Sequence, residues 1–333
     1  MTDITNFIEN VKNTVEAHKL DAEGRYARWI WQNADGTRDL GLNEYGCADA
    51  ANILYTIGEF PTEASAREEW IRTLRSLQEE GTGFYNESTH NTIHTTAHCL
   101  AALELFDALP DYGLNGFDEC RTTEGLYNFL EGLDWINEPW NASHQGAGIF
   151  AALNIAREAA PDWNISYFKW FWDNTDKKTG FWRSGCVAAG GAEIYKHLAG
   201  SFHYLFNHEW AKMPLRFPEK MVDSCLDMFN NGSMPEFFGR SIEFLEVDWV
   251  YCLTRSLRQC GHRYNECKAA LKKFAKGYLD YLLSIDTMTD DSFNDLHMLF
   301  GALCCVAELQ QALPGMIYSC RPLRLVLDRR PFI

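Results

Sequence analysis

Leu77-Gln78-Glu79-Glu80-Gly81-Thr82-Gly83-Phe84-Tyr85 closes one helix-periodic segment in a glycine-bearing turn, and His94-Thr95-Thr96-Ala97-His98-Cys99-Leu100-Ala101-Ala102-Leu103 opens the next. The segment before the turn, residues 66–78, is charged and amphipathic, as a helix with one solvated face should be. The segment after it, residues 92–105, is poor in charge and rich in small residues, which predicts a helix buried on most sides. Glycine supplies the turn backbone, and Phe84 is placed to pack over the two helix ends. The stretch reads as one helical hairpin.

The hairpin recurs. Pro61, Pro110, Pro161 and Pro214 follow four of the apolar segments at spacings of 49, 51 and 53 residues. Charged segments fall at 4–18, 66–78, 122–133, 163–172, 219–229 and 265–283, and apolar segments at 47–57, 92–105, 144–156, 194–206, 247–257 and 296–309. Turns with the same chemistry stand at Asp35-Gly36 and at Asp176-Lys177-Lys178-Thr179-Gly180-Phe181-Trp182. A period of this size marks a repeat architecture. No sustained alternation of β-branched residues argues for strands. Six outer and six inner helices predict an all-α (α/α)6 toroid spanning residues 1–320 as one domain, followed by a basic C-terminal tail at 321–333.

Composition narrows the function. The 333 residues are 46% hydrophobic and 14% aromatic, with 11 Trp, enough for a thick core or an aromatic-lined cavity. A net charge of −16 excludes nucleic acid as an expected partner, because phosphates need a positive face. The opening residues carry acids and no apolar h-region, and no stretch has the length of a membrane span, so no leader and no membrane contact are expected and the cytoplasm is the default. The 11 Cys are an odd number, scattered through apolar runs with no CxxC pair. They read as reduced core residues rather than disulfides or a structural zinc site. No metal or other cofactor is expected.

At motif level, residues 76–84 with His94-Thr95-Thr96-Ala97 and Leu100-Ala101-Ala102-Leu103 resemble the repeat of the terpenoid cyclase and protein prenyltransferase toroids. The same outline with Thr179-Gly180-Phe181-Trp182 resembles the six-hairpin glycosidases and the barrels of polysaccharide lyases. The resemblance implies the toroid over nearly the whole chain. It does not choose the chemistry, because the superfold hosts unrelated reactions.

Each apolar segment carries a polar residue near its start: Asp49, His94, His144, His197, Asp248 and Asp295, at spacings of 45, 50, 53, 51 and 47 residues. If all six sit at the N-terminal ends of inner helices, they face one mouth and form a catalytic ring of three His and three Asp. His with Asp supplies a proton donor and acceptor near neutral pH. Each Asp is equally readable as an ordinary N-cap, and each His as a hydrogen-bonded core residue. Tyr45, Trp140, Trp182 and Trp249 lie close to the openers and suit stacking on a sugar or on a cation, and His203 reads as a residue deeper in the cavity.

Other motifs fail on spacing or placement. Asp223-Ser224-Cys225 with His297 imitates a prenyltransferase zinc set, but residues 221–228 read as an outer helix. Asp290-Asp291-Ser292-Phe293-Asn294-Asp295 is one residue too long for a diphosphate–magnesium motif. The leading expectation is a carbohydrate-active enzyme, a glycoside hydrolase or lyase, using Asp/His acid–base chemistry on an intracellular oligosaccharide or other small molecule. In hydrolysis Asp49 and Asp248 form the first carboxylate pair, and in elimination a histidine takes the proton. An isoprenoid cyclase or prenyltransferase and a non-catalytic binding toroid are the alternatives, and the oligomeric state stays open.

Overall fold

A computed structural model describes residues 1–333. The fold is all-α. Its helices are α1 (Thr5–Ala17), α2 (Glu44–Ile57), α3 (Ala64–Ser76), α4 (Thr92–Leu105), α5 (Thr123–Glu131), α6 (Pro139–Ile155), α7 (Pro161–Asp173), the short α8 (Cys186–Ala189), α9 (Ile194–Ala211), α10 (Pro218–Asn231), α11 (Leu245–Cys260), α12 (Tyr264–Leu282) and α13 (Leu296–Ala312). One two-residue parallel pairing, β1 (Thr2–Asp3) with β2 (Ile317–Tyr318), ties the start of the chain to the segment after α13. No helix is long and apolar enough to cross a membrane.

Two classes of helix alternate, and burial separates them. On α1 only Phe7, Val11 and Val15 are buried, one stripe at four-residue spacing. On α13 nearly every residue from Leu296 to Leu309 is buried. The fully enclosed helices contact one another in order: α2 on α4, α4 on α6, α6 on α9, α9 on α11, α11 on α13, and α13 back on α2. The one-sided helices lie against them, α1 and α3 on α2, α10 and α12 on α11.

Close approach between enclosed helices depends on residues without bulk. A Cβ on Gly200 of α9 would stand 2.6 Å from the Pro139 carbonyl oxygen at the start of α6. The turns repeat as bonded units. Glu79 N–H donates to Phe84 O and Gly83 N–H to Glu79 O; Asp176 N–H donates to Phe181 O and Gly180 N–H to Asp176 O, each at 2.8 Å. Gln78 fastens the first turn to the next hairpin, its amide donating to Gly83 O and Tyr112 O while its oxygen accepts from Asp111 N–H and Tyr112 N–H.

Several segments depart from the sequence boundaries. Helix α6 begins five residues before the expected 144, at Pro139, whose fixed φ suits a first helical turn. Helix α9 runs to Ala211, beyond the expected 206. The basic stretch 321–333 turns inward: Leu323, Val326, Leu327, Phe332 and Ile333 are buried, and Arg330 is fully enclosed. Asn207 on α9 donates to Pro331 O at 2.7 Å, and the Phe332 ring meets His94, His203 and Phe206. The tail thereby floors the space among the enclosed helices. All 11 Cys are free thiols.

Candidate functional site

A cavity of about 240 Å³ lies among the enclosed helices, bordered by His90, His94, Trp140, His144, His203, Glu243, Phe244, His297, Met298 and Ile333. A larger depression between α3 and residues 107–111 is a shallow open groove in which Arg72 pairs with Glu69 and Arg75 with Asp111. The enclosed cavity is therefore the place where chemistry can be protected from water.

Five imidazoles border this cavity and a sixth, His98, stands behind them. His94 and His144 have ring centroids 4.4 Å apart, His144 and His203 4.9 Å, His90 and His297 5.0 Å, and His98 and His297 5.4 Å. Helix geometry gathers three of them. His90, His94 and His98 are separated by four residues each, so they align along one face of α4 and its lead-in.

Their orientation is set from behind. Ala199 O accepts from His203 Nδ1 at 3.1 Å, so the Nδ1 of His203 carries a proton. Ser143 Oγ donates to Trp140 O and so is free only to accept from the same Nδ1. Thr89 Oγ1 donates to Glu87 and accepts from His90 Nδ1 at 2.7 Å. His94 Nδ1 meets Tyr45 Oη at 2.5 Å, Tyr45 is within 3.5 Å of Thr95 Oγ1, and Thr95 donates to Asn91 O. That relay is complete when His94 Nδ1 is the donor. On His90, His94 and His203 the nitrogen left over is Nε2, and a neutral imidazole offers it as an acceptor.

Asp49 of α2 organises the remaining pair. It is wholly buried, and its Oδ1 accepts from His98 Nε2 at 2.8 Å while its Oδ2 accepts from His297 Nδ1 at 3.0 Å. The other nitrogen of His98 faces the main-chain oxygen of Ile333, so both of its nitrogens face acceptors. Burial pushes the Asp49 carboxyl up, but the two imidazoles outweigh burial and hold it well below the usual carboxylate range. Burial pushes His297 down to about 4 against the opposing pull of Asp49, so at neutral pH its ring is neutral with Nε2 bare. His203 is pushed down to about 3 by burial, and His94 and His144 well below the ordinary histidine value by burial and by neighbouring imidazoles, His144 foremost for His94 and His203 foremost for His144. Glu243, across the cavity lining, is raised by burial.

The six openers do not converge as a ring. His94 and His144 border the cavity, and Asp49 stands one layer behind, covered by His98 and His297. Asp295 is the N-cap of α13, accepting from His297 N–H at 3.0 Å and binding Arg28 through both oxygens at 2.8 and 3.0 Å. His197 and Asp248 are fully buried away from the cavity, and neither has a side-chain partner. The reason is helical phase. His94 is the third residue of its helix, Asp248 the fourth, Asp49 and His144 the sixth, while Asp295 lies outside its helix. At 3.6 residues per turn those offsets send side chains to different faces.

The aromatic candidates divide similarly. Trp140 borders the cavity, and Tyr45 lies beneath it, stacked on His90 and His98 at 4.4 and 4.9 Å. Trp182 is core, donating to Phe171 O and stacking on His208. Trp249 is core between α10, α11 and α12, donating to Cys225 O against Phe229 and Phe274. His203 does border the cavity. His90, Phe244, Met298, His297 and Glu243 also border the cavity, and none of them is among the six openers. The four-residue spacing of His90, His94 and His98 was the available signal for the first. No family model, no curated protein and no solved structure matches this chain.

Proposed function

We propose that the closed cycle of enclosed helices is an (α/α)6 toroid and that its central cavity is the active site of an enzyme moving protons on a small, hydroxyl-rich substrate, a single sugar ring. The observation that carries the proposal is the fixed tautomer set: imidazoles hydrogen-bonded at Nδ1 from behind, with Nε2 left as acceptor. Such a wall accepts hydrogen bonds from a polyol, and Trp140 and Phe244 add flat apolar faces for the ring. A volume of about 240 Å³ suits one ring better than an enclosed oligosaccharide.

Within this reading His297 is the general base. Asp49 holds its Nδ1–H and steadies the positive charge that forms when Nε2 takes a proton. Glu243, raised by burial, is the group able to return one. Proton abstraction in elimination or isomerisation is favoured over glycoside hydrolysis. Hydrolysis by two carboxyl groups needs both beside the substrate, and Glu243 is the one carboxylate in the cavity lining. An isoprenoid cation suits the cavity poorly, since bare imidazole nitrogens are nucleophiles that trap carbocations.

The test is incubation of the protein in D2O with a panel of hexoses, amino sugars and uronic acids, read by NMR. Solvent deuterium at a ring or anomeric-adjacent carbon, absent with His297→Ala, supports the reading. Release of a reducing sugar without carbon deuteration, or no exchange with any member, contradicts it.

A further inference from the structure

Three of the cavity imidazoles have a relationship that acid–base chemistry leaves unexplained. One ring nitrogen from each of His94, His144 and His203 lies within 4.8 Å of those of the other two. Neither nitrogen of His144 has a protein hydrogen-bond partner, and neither does the Nε2 of His94 or of His203. Each of the three thus keeps a ring nitrogen that no protein group engages, and each can offer a lone pair there with no protein donor competing for it. Like dipoles brought together in a dry interior repel, and a cation at their focus reverses the sign of the interaction.

The second buried triad differs. Asp49, His98 and His297 are equally close, but their facing atoms are already joined by hydrogen bonds of 2.8 and 3.0 Å. Protons fill the places where an ion would sit. His94, His144 and His203 have no such protons between them.

We infer that His94, His144 and His203 form a three-histidine site for one divalent transition-metal ion of the zinc class, with its fourth position open to the cavity. Three neutral imidazoles and an open position make the donor set of catalytic zinc sites, and imidazole also suits nickel, copper and iron. The ligands come from α4, α6 and α9, three successive members of the helix cycle, so the scaffold is rigid. Two ligands have outer partners fixing the unused nitrogen, Tyr45 Oη on His94 and Ala199 O on His203. A tetrahedral ion with zinc–nitrogen bonds near 2.05 Å places its ligands about 3.3 Å apart. Closing from within 4.8 Å to that spacing requires a small rotation, and half-buried His144, unbonded at both nitrogens, is free to make it. This site does not depend on His297 as base.

The test is cobalt(II) and zinc(II) binding to chelator-stripped protein, followed by visible absorption and equilibrium dialysis. The expected result is one ion per chain, with cobalt d–d bands and no thiolate charge-transfer band, since no Cys takes part. His144→Gln and His203→Gln should weaken binding by roughly a hundredfold or more, and Tyr45→Phe by about 10- to 100-fold, the range for outer partners. His262→Gln, a surface histidine paired with Asp223, should leave it unchanged. His297→Ala should still bind cobalt while losing any deuterium exchange, which separates this site from the proposed base. Circular dichroism identifies any variant that fails to fold, and the remaining ligand variants then decide. Absence of a stoichiometric ion in the folded wild type, or equal affinity in the folded ligand variants, overturns the site.

Discussion

Asp49 and His297 lie 248 positions apart and are joined by a 3.0 Å hydrogen bond from His297 Nδ1 to Asp49 Oδ2 inside the helix cycle. The same carboxylate holds His98, so one buried charge orients two rings. Asp49→Asn leaves a side chain with one oxygen and one amide group facing two imidazoles. One ring must then present a lone pair instead of an N–H, and where that ring is His297 its proton moves to Nε2 and the cavity loses its acceptor. Proton exchange into a responsive sugar should fall roughly 10²- to 10⁴-fold in His297→Ala, the usual range for a removed general base, and by a large part of that in Asp49→Asn. Full exchange in either variant removes His297 from the mechanism.

Acid should unfold the metal-stripped protein early. His208 and His297 are each pushed down to about 4 by burial, whereas an unfolded histidine titrates near 6.5. The unfolded chain therefore binds more protons between those values, so stability is complete above the unfolded value and is lost as pH falls toward the folded one. Each such histidine removes on the order of 2 kcal/mol between pH 7 and pH 5. Thermal unfolding followed by circular dichroism should show Tm dropping steeply below about pH 6.5. A flat Tm across that interval contradicts the buried neutral state.

Arg28 and Asp295 close the helix cycle where its first and last members meet. Their side chains are 4% and 12% exposed, and Arg28 also lies over the rings of Trp29 and Tyr45. Asp295→Ala removes an N-cap and the two closest carboxylate bonds of a buried guanidinium, leaving it Thr89 and Glu87, a loss of about 3 kcal/mol. Denaturant unfolding is the measurement; a loss below about 1 kcal/mol, the level of a surface pair, contradicts the buried bridge.

Phe332 connects the tail to the site. Its ring lies 5.0 Å from His94 and 5.6 Å from Phe206, fully buried. Phe332→Ala should cost about 3–5 kcal/mol and deepen the cavity floor. Chemical denaturation reads the first effect and a crystal structure the second. A variant as stable as the parent contradicts the inward course of the tail.

The twelve longer helices were legible because periodicity survives in one sequence: stripes such as Phe7, Val11 and Val15 separate outer helices from enclosed ones such as α13. The site was half legible. The polar residue near the start of each repeat marks His94 and His144, and His203 reads as a cavity residue, but position within a repeat carries no helical phase. Asp248 and His197 therefore entered a ring they do not join. Trp182 and Trp249 stand near turns, yet nearness in sequence does not tell which way an indole points. The tail reads only as basic, while Arg330, its guanidinium pushed down to about 10 by burial, lies in the core. Long-range partners of that kind, like His297 for Asp49, leave no trace in local pattern.

Long-range ¹H–¹⁵N NMR of the imidazoles at pH 7, assigned by single His→Gln variants, reads the protonation state of His297 itself. The expected spectrum shows a neutral His297 with the proton on Nδ1 and an unprotonated Nε2, a base poised at the cavity wall. A His297 ring protonated at both nitrogens, or carrying its single proton on Nε2, contradicts it.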